Sequence, residues 1–127
     1  MKVKWVELNE DDPILLILPS DHQINVNQEF LKSIEEAKKF AINGKIITFG
    51  VKPKSPATGY GYIKASNKLF KGKLTPFQIE KFIEKPNILL AKELYKDDSF
   101  SWNSGIFMAR SSIFIQELEK YCPEIII

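Results

Sequence analysis

Ile14-Leu15-Leu16-Ile17-Leu18, running straight into Pro19-Ser20-Asp21-His22, is the stretch whose reading decides the fold. Five consecutive apolar residues with no polar alternation describe a strand buried on both faces, the pattern of a parallel sheet. Pro19 has no N–H for a ladder and ends the strand. Asp21 then falls just beyond the carboxyl end, where open α/β sheets form their ligand crevices. An acid there can hold a hard cation against a phosphate, or can cap a following helix. His22 beside it can donate a proton, ligate, or simply be hydrogen-bonded in the turn.

Downstream, Phe30, Leu31, Ile34, Ala37, Phe40 and Ala41 recur at helical spacing, with Glu35, Glu36, Lys38 and Lys39 opposite them. Asn25 or Asn27 can cap this helix, and Asn43-Gly44 supplies a left-handed stop. Lys45–Val51 reads as the next strand, so residues 13–51 form a βαβ unit with a parallel pair. Residues 1–12 read as a short helix or a loosely ordered arm.

Residues 52–109 change character. Gly59–Ala65 and Gln78–Glu84 read as short strands of a β-hairpin region, with 67–76 as an exposed excursion between them. Asn87 opens a helix through Tyr95, and Trp102-Asn103-Ser104-Gly105 reads as a turn feeding a hydrophobic strand. Ser111 or Ser112 can cap a last helix within residues 110–127. The fold class expected is α/β, with a mixed, mainly parallel sheet and flanking helices in a single domain of 127 residues.

Composition narrows the function. Apolar residues make up 44% and charged residues 27%, as in ordinary globular proteins. A net charge of +2, with basic residues scattered, argues against nucleic acid. No apolar run reaches membrane-spanning length, and the single cysteine excludes an internal disulfide, so a cytoplasmic protein is expected. There is neither zinc-ligand spacing nor a nucleophile elbow.

Three polar clusters remain. Gly59-Tyr60-Gly61 can bring backbone amides close to a hydroxyl or phosphate. Glu84-Lys85-Pro86 ends a strand with opposite charges; if Pro86 breaks the alternation, Glu84 can accept from vicinal sugar hydroxyls while Lys85 faces a phosphate. Asn103 can donate and accept at once, as hydroxyl recognition requires, and Trp102 can wall a pocket or pack in the core.

In order and spacing, Leu18-Pro19-Ser20-Asp21-His22, Thr58-Gly59-Tyr60-Gly61-Tyr62-Ile63, Phe82-Ile83-Glu84-Lys85-Pro86 and Trp102-Asn103-Ser104-Gly105-Ile106-Phe107 resemble the mannose-1-phosphate guanylyltransferases. These are the GDP-mannose pyrophosphorylases of the sugar nucleotidyltransferase superfamily. The resemblance implies a partial Rossmann-like nucleotide-diphospho-sugar transferase fold, GTP and mannose 1-phosphate as substrates, and Mg²⁺ as cofactor. It implies Asp21 as metal ligand and catalytic group, Lys85 as phosphate-binding and catalytic group, and Gly59, Gly61, Glu84 and Asn103 at the sugar.

The family's glycine-rich nucleotide loop and its second magnesium aspartate have no counterpart in the sequence. The expectation is therefore an internal fragment holding the sugar-phosphate half, inactive alone because lost phosphate donors cost about 3 kcal/mol each. A non-catalytic sugar-phosphate-binding or assembly module, a gene remnant, and one piece of a split enzyme are the alternatives. Missing first strands would leave the Ile14–Leu18 edge open, which predicts a homo-oligomer burying Trp5 and the isoleucine tail.

Overall fold

Ile14 through Ile17 are each at most 7% exposed, as a run of apolar residues without alternation requires. In a computed structural model of the chain, residues 2–6, 11–21, 23–69 and 74–125 are described, the first of these as backbone only. They fall into two compact units, residues 1–48 with 105–127, and residues 49–104.

In the first unit, β1 (Lys2–Val6) pairs antiparallel with β2 (Ile14–Leu18), from Lys2 opposite Leu18 to Val6 opposite Ile14. The arm expected over residues 1–12 is thus in part a strand. It occupies the edge whose exposure motivated the expectation of self-association. Trp5's side chain and the last two isoleucines lie outside the described residues. Helix α1 (Gln28–Ile42) is capped by Asn27, whose Oδ1 accepts from Phe30 N at 2.8 Å, and it stops at Asn43 and Gly44, the latter at φ 82°. It buries Ala37 and Ala41.

The mainly parallel sheet is corrected by β6 (Phe100–Arg110), which pairs antiparallel with β2 through Ile14–Arg110 to Ile17–Phe107. With β1 on one edge and β6 on the other, β2 has no edge left for β3 (Ile47–Val51), which pairs with β6 instead. Connection length alone permits a parallel neighbour; it does not reveal a third strand inserted from far downstream.

Helix α3 (Ser111–Tyr121) is capped from far away in sequence. Asp12 Oδ1 accepts from Ser112 N at 2.9 Å and from Ser111 Oγ at 2.9 Å, and Oδ2 accepts from Ser112 Oγ at 2.7 Å. The two serines therefore donate to the cap and do not form it. The Ser112 hydroxyl and amide, then Ser111 and the Arg110 guanidinium, hold the Asp12 carboxyl down at about 2, against an ordinary 3.8. A lowered carboxyl pKa contributes stability that is complete above about pH 4 and lost as the pH falls toward 2. Asp12→Asn is expected to lower the thermal midpoint at pH 7 and to close on the native chain as the pH falls through about 2; equal midpoints at pH 7 would show that the cap is idle.

The second unit is built on β4 (Tyr62–Ala65), which lies between β5 (Ile79–Ile83) and the first residues of β6, antiparallel to both. Tyr62 is fully buried with Leu94 and Phe100, flanked by Ile83 and Trp102, and its hydroxyl donates to Ala57 O at 2.7 Å. Leu94 comes from α2 (Ile88–Lys96), capped by Asn87 Oδ1, which accepts from Leu90 N at 2.9 Å. The hairpin expectation holds here; the expected turn at 102–105 is strand, with Gly105 at φ 75°.

Candidate functional site

Register assembles the site in the second unit. Tyr62 stands opposite Ile83 on β5 and Trp102 on β6. One residue before β4, the same antiparallel count puts Gly61 between Glu84 and Asn103. Asn103 N donates to Gly61 O at 2.8 Å, which fixes the row on that side. On the other, a Cβ on Gly61 would lie 2.9 Å from Glu84 Oε2 and 3.0 and 3.2 Å from two atoms of the Phe82 ring. Glycine is needed here for close approach, because both groups rest where its side chain would be.

Gly59 differs. Nothing comes within 4 Å of its absent Cβ, and neither glycine has a positive φ. Gly59→Ala is expected to raise stability by about 0.5 kcal/mol through a stiffer unfolded chain, whereas Gly61→Ala displaces the Glu84 carboxylate and the Phe82 ring at a cost of about 1 kcal/mol. Urea unfolding of the two variants checks the contrast, and equal midpoints would remove the packing role of Gly61.

Glu84 and Lys85 would face opposite ways on a regular strand. Lys85 has φ 39°, the one positive value on a non-glycine residue among the described residues, directly before buried Pro86. This break brings Lys85 Nζ to 4.0 Å from Glu84 Oε1, with both side chains mostly exposed. Holding a lysine in the left-handed region costs on the order of 1–3 kcal/mol, a strain that concentrates at functional sites. What results is a carboxylate and an ammonium side by side, with a half-buried amide across the glycine. One can accept from hydroxyls; the other can neutralise an anion.

Trp102 belongs to the other face. Pleating sends it with its register partner Tyr62 into the Leu94–Phe100 core, away from the face that carries Gly61 and Glu84. Tyr60 packs over it at 4.8 Å between ring centroids, tilted by 44°. The indole Nε1 is buried with no hydrogen-bond partner among the described residues, a cost of about 1–3 kcal/mol. The sequence did not announce that the Phe82 ring would stand beside Gly61. The signal for it was position, two residues before Glu84 and hence on the same strand face.

Asp21 lies in the first unit, exposed on the bend after β2; His22 is outside the described residues. Pro19 packs 3.7 Å from where Gly105 would carry a Cβ. No group of three carboxylate, histidine or cysteine ligands occurs among the described residues. A single acid still suits Mg²⁺, which is held by one or two carboxylates with phosphate oxygens and water completing its shell. A cavity of about 310 Å³ in the same unit, lined by Ile17, Ile46, Phe107, Phe114, Leu118 and Tyr121 among others, includes none of the expected site residues.

The fold is an α/β sheet with flanking helices, and its second unit sets a carboxylate, an ammonium and an amide beside one glycine. The chain belongs to the nucleotidyl transferase family, whose model matches residues 1–126. It is 40% identical over 116 residues to the mannose-1-phosphate guanylyltransferase of Klebsiella pneumoniae, covering 91% of this chain and 25% of that protein. It is 41% identical over 117 residues to the xanthan biosynthesis protein XanB of Xanthomonas campestris, covering 92% and 24%. The chain thus spans about a quarter of the length of the curated relatives it matches.

Among solved structures, mannose-6-phosphate isomerase from Helicobacter pylori superposes with a TM-score of 0.74 at 37% identity, over 88% of this chain and 41% of that one. Mannose-1-phosphate geranyltransferase from Thermus thermophilus gives 0.74 at 26% identity, over 87% and 31%. The α/β reading and the family resemblance are both borne out.

Proposed function

We propose that the second unit binds mannose 1-phosphate for guanylyl transfer from GTP, giving GDP-mannose and pyrophosphate. The supporting observation is the row Glu84–Gly61–Asn103 with Lys85 turned alongside Glu84. In the reaction, a phosphate oxygen of mannose 1-phosphate bonds to the α-phosphorus of GTP as the bond to the bridging oxygen breaks and pyrophosphate leaves. Glu84 accepts from neighbouring hydroxyls, Asn103 holds another, and Lys85 neutralises the sugar phosphate. Gly59 leaves room for backbone to approach the ligand. Asp21 would be one ligand of Mg²⁺, which when bound supplies charge neutralisation at the phosphates.

The proposal assigns these 127 residues the hexose-phosphate half of the reaction, with pyrophosphate release by them alone not expected. Amide spectra recorded with mannose 1-phosphate should shift at Gly61, Glu84 and Lys85. Unchanged spectra at millimolar sugar phosphate would overturn the reading. Pyrophosphate release from GTP would instead show that the chain is an enzyme by itself, not a binding module.

A further inference from the structure

We propose that Phe82 is the apolar wall of the hexose subsite, its ring lying against the C–H face of the pyranose whose hydroxyls Glu84 accepts. The inference rests on the hexose-phosphate reading above and adds to it the residue that recognises the sugar as a ring. Three observations carry it.

Phe82 is 49% exposed on β5, while its register partner Ile63 is 4% exposed. An aromatic side chain beside a few hydrogen-bonding groups is the lining small-molecule sites use. Second, the ring and Glu84 Oε2 converge on one point, the position of the missing Cβ of Gly61, at 3.0 and 2.9 Å. An acceptor for hydroxyls and an aromatic face are therefore presented side by side. A pyranose has both matching surfaces, equatorial and axial hydroxyls at its rim and a patch of C–H groups on its face. Third, Trp102, the aromatic that could otherwise wall the pocket, is committed to the opposite face with Tyr62, and Tyr60 packs against it. Phe82 is the aromatic that stands beside Glu84 at Gly61.

On this reading the two parts of the ligand have separate contacts. Phe82 meets only the ring of the sugar, while Lys85 meets only its phosphate. Titration calorimetry of the native chain, Phe82→Ala and Phe82→Leu with mannose 1-phosphate and with inorganic phosphate reads them apart. Expected is an affinity for mannose 1-phosphate lowered about tenfold in Phe82→Ala and less in Phe82→Leu, which keeps apolar area but no π face. Phosphate affinity should be unchanged in both, with melting curves confirming that both fold.

An unaltered mannose 1-phosphate affinity in Phe82→Ala overturns the inference and leaves the hexose-phosphate reading standing. An equal loss for sugar phosphate and inorganic phosphate also overturns it, since Phe82 would then merely support Lys85. A native chain that takes up neither ligand overturns the hexose-phosphate reading, and the wall with it.

Discussion

Replacing Glu84 by glutamine is expected to lower the affinity for mannose 1-phosphate by about 10- to 100-fold while leaving the melting temperature in place. The size follows from chemistry. A carboxylate accepting from two neighbouring hydroxyls makes charge-assisted bonds worth about 1.5–3 kcal/mol each. Glutamine keeps one carbonyl acceptor, loses the charge, and turns a donor toward groups that also donate.

Stability should be indifferent because Glu84 gives the fold little. Its contact with Lys85 is 4.0 Å long and mostly exposed, and such pairs contribute about 0–1 kcal/mol. Its other neighbour is the open side of Gly61, where glutamine fits as well as glutamate. A loss of stability equal to the loss of binding would mean that Glu84 is a structural residue. An unchanged affinity would take the hydroxyl acceptor out of the site altogether. Calorimetry and thermal melts on the same samples read both quantities.

How much of this could be seen in the sequence depends on the range over which each feature is encoded. Asn27, one of two asparagines that could cap α1, and Asn87, at the expected start of α2, cap their helices, because a cap is a relation between residues three apart. The Ile14–Leu18 strand was legible because burial on both faces leaves no polar residue in the run. The cap on α3 was not, since Asp12 and Ser112 are 100 positions apart and Ser111-Ser112 offers a local answer that is wrong.

The sheet's sense was missed for a similar reason. Nothing local to residues 13–51 announces that β6 will take the second edge of β2, or that residues 2–6 will take the first. At the site, the residue types were legible and their assembly was not. Glu84, Gly61 and Asn103 become neighbours only once two antiparallel registers are known. Those same registers exchange the two aromatics, sending Trp102 into the core and leaving Phe82 beside the carboxylate.

Lys85→Gly should move stability and binding in opposite directions. A residue with a Cβ held at φ 39° carries a steric cost of about 1–2 kcal/mol that glycine does not. Glycine gives some of that back by loosening the unfolded chain, about 0.5–1 kcal/mol. A net gain of about 0.5–1 kcal/mol is therefore expected in urea unfolding. The same substitution removes the cation beside Glu84, so affinity for both inorganic phosphate and mannose 1-phosphate should fall by about tenfold or more.

Lys85→Ala separates the two effects. It also loses the charge, but alanine keeps a Cβ in the left-handed region and gains no stability. If the glycine and alanine variants unfold at the same urea concentration, the backbone at 85 is not strained. If the glycine variant is more stable and binds phosphate as before, the strain is real but serves no anion. The expected pairing, a firmer fold with a lost ligand, is the mark of a residue whose conformation is maintained for its side chain's position at the cost of the fold.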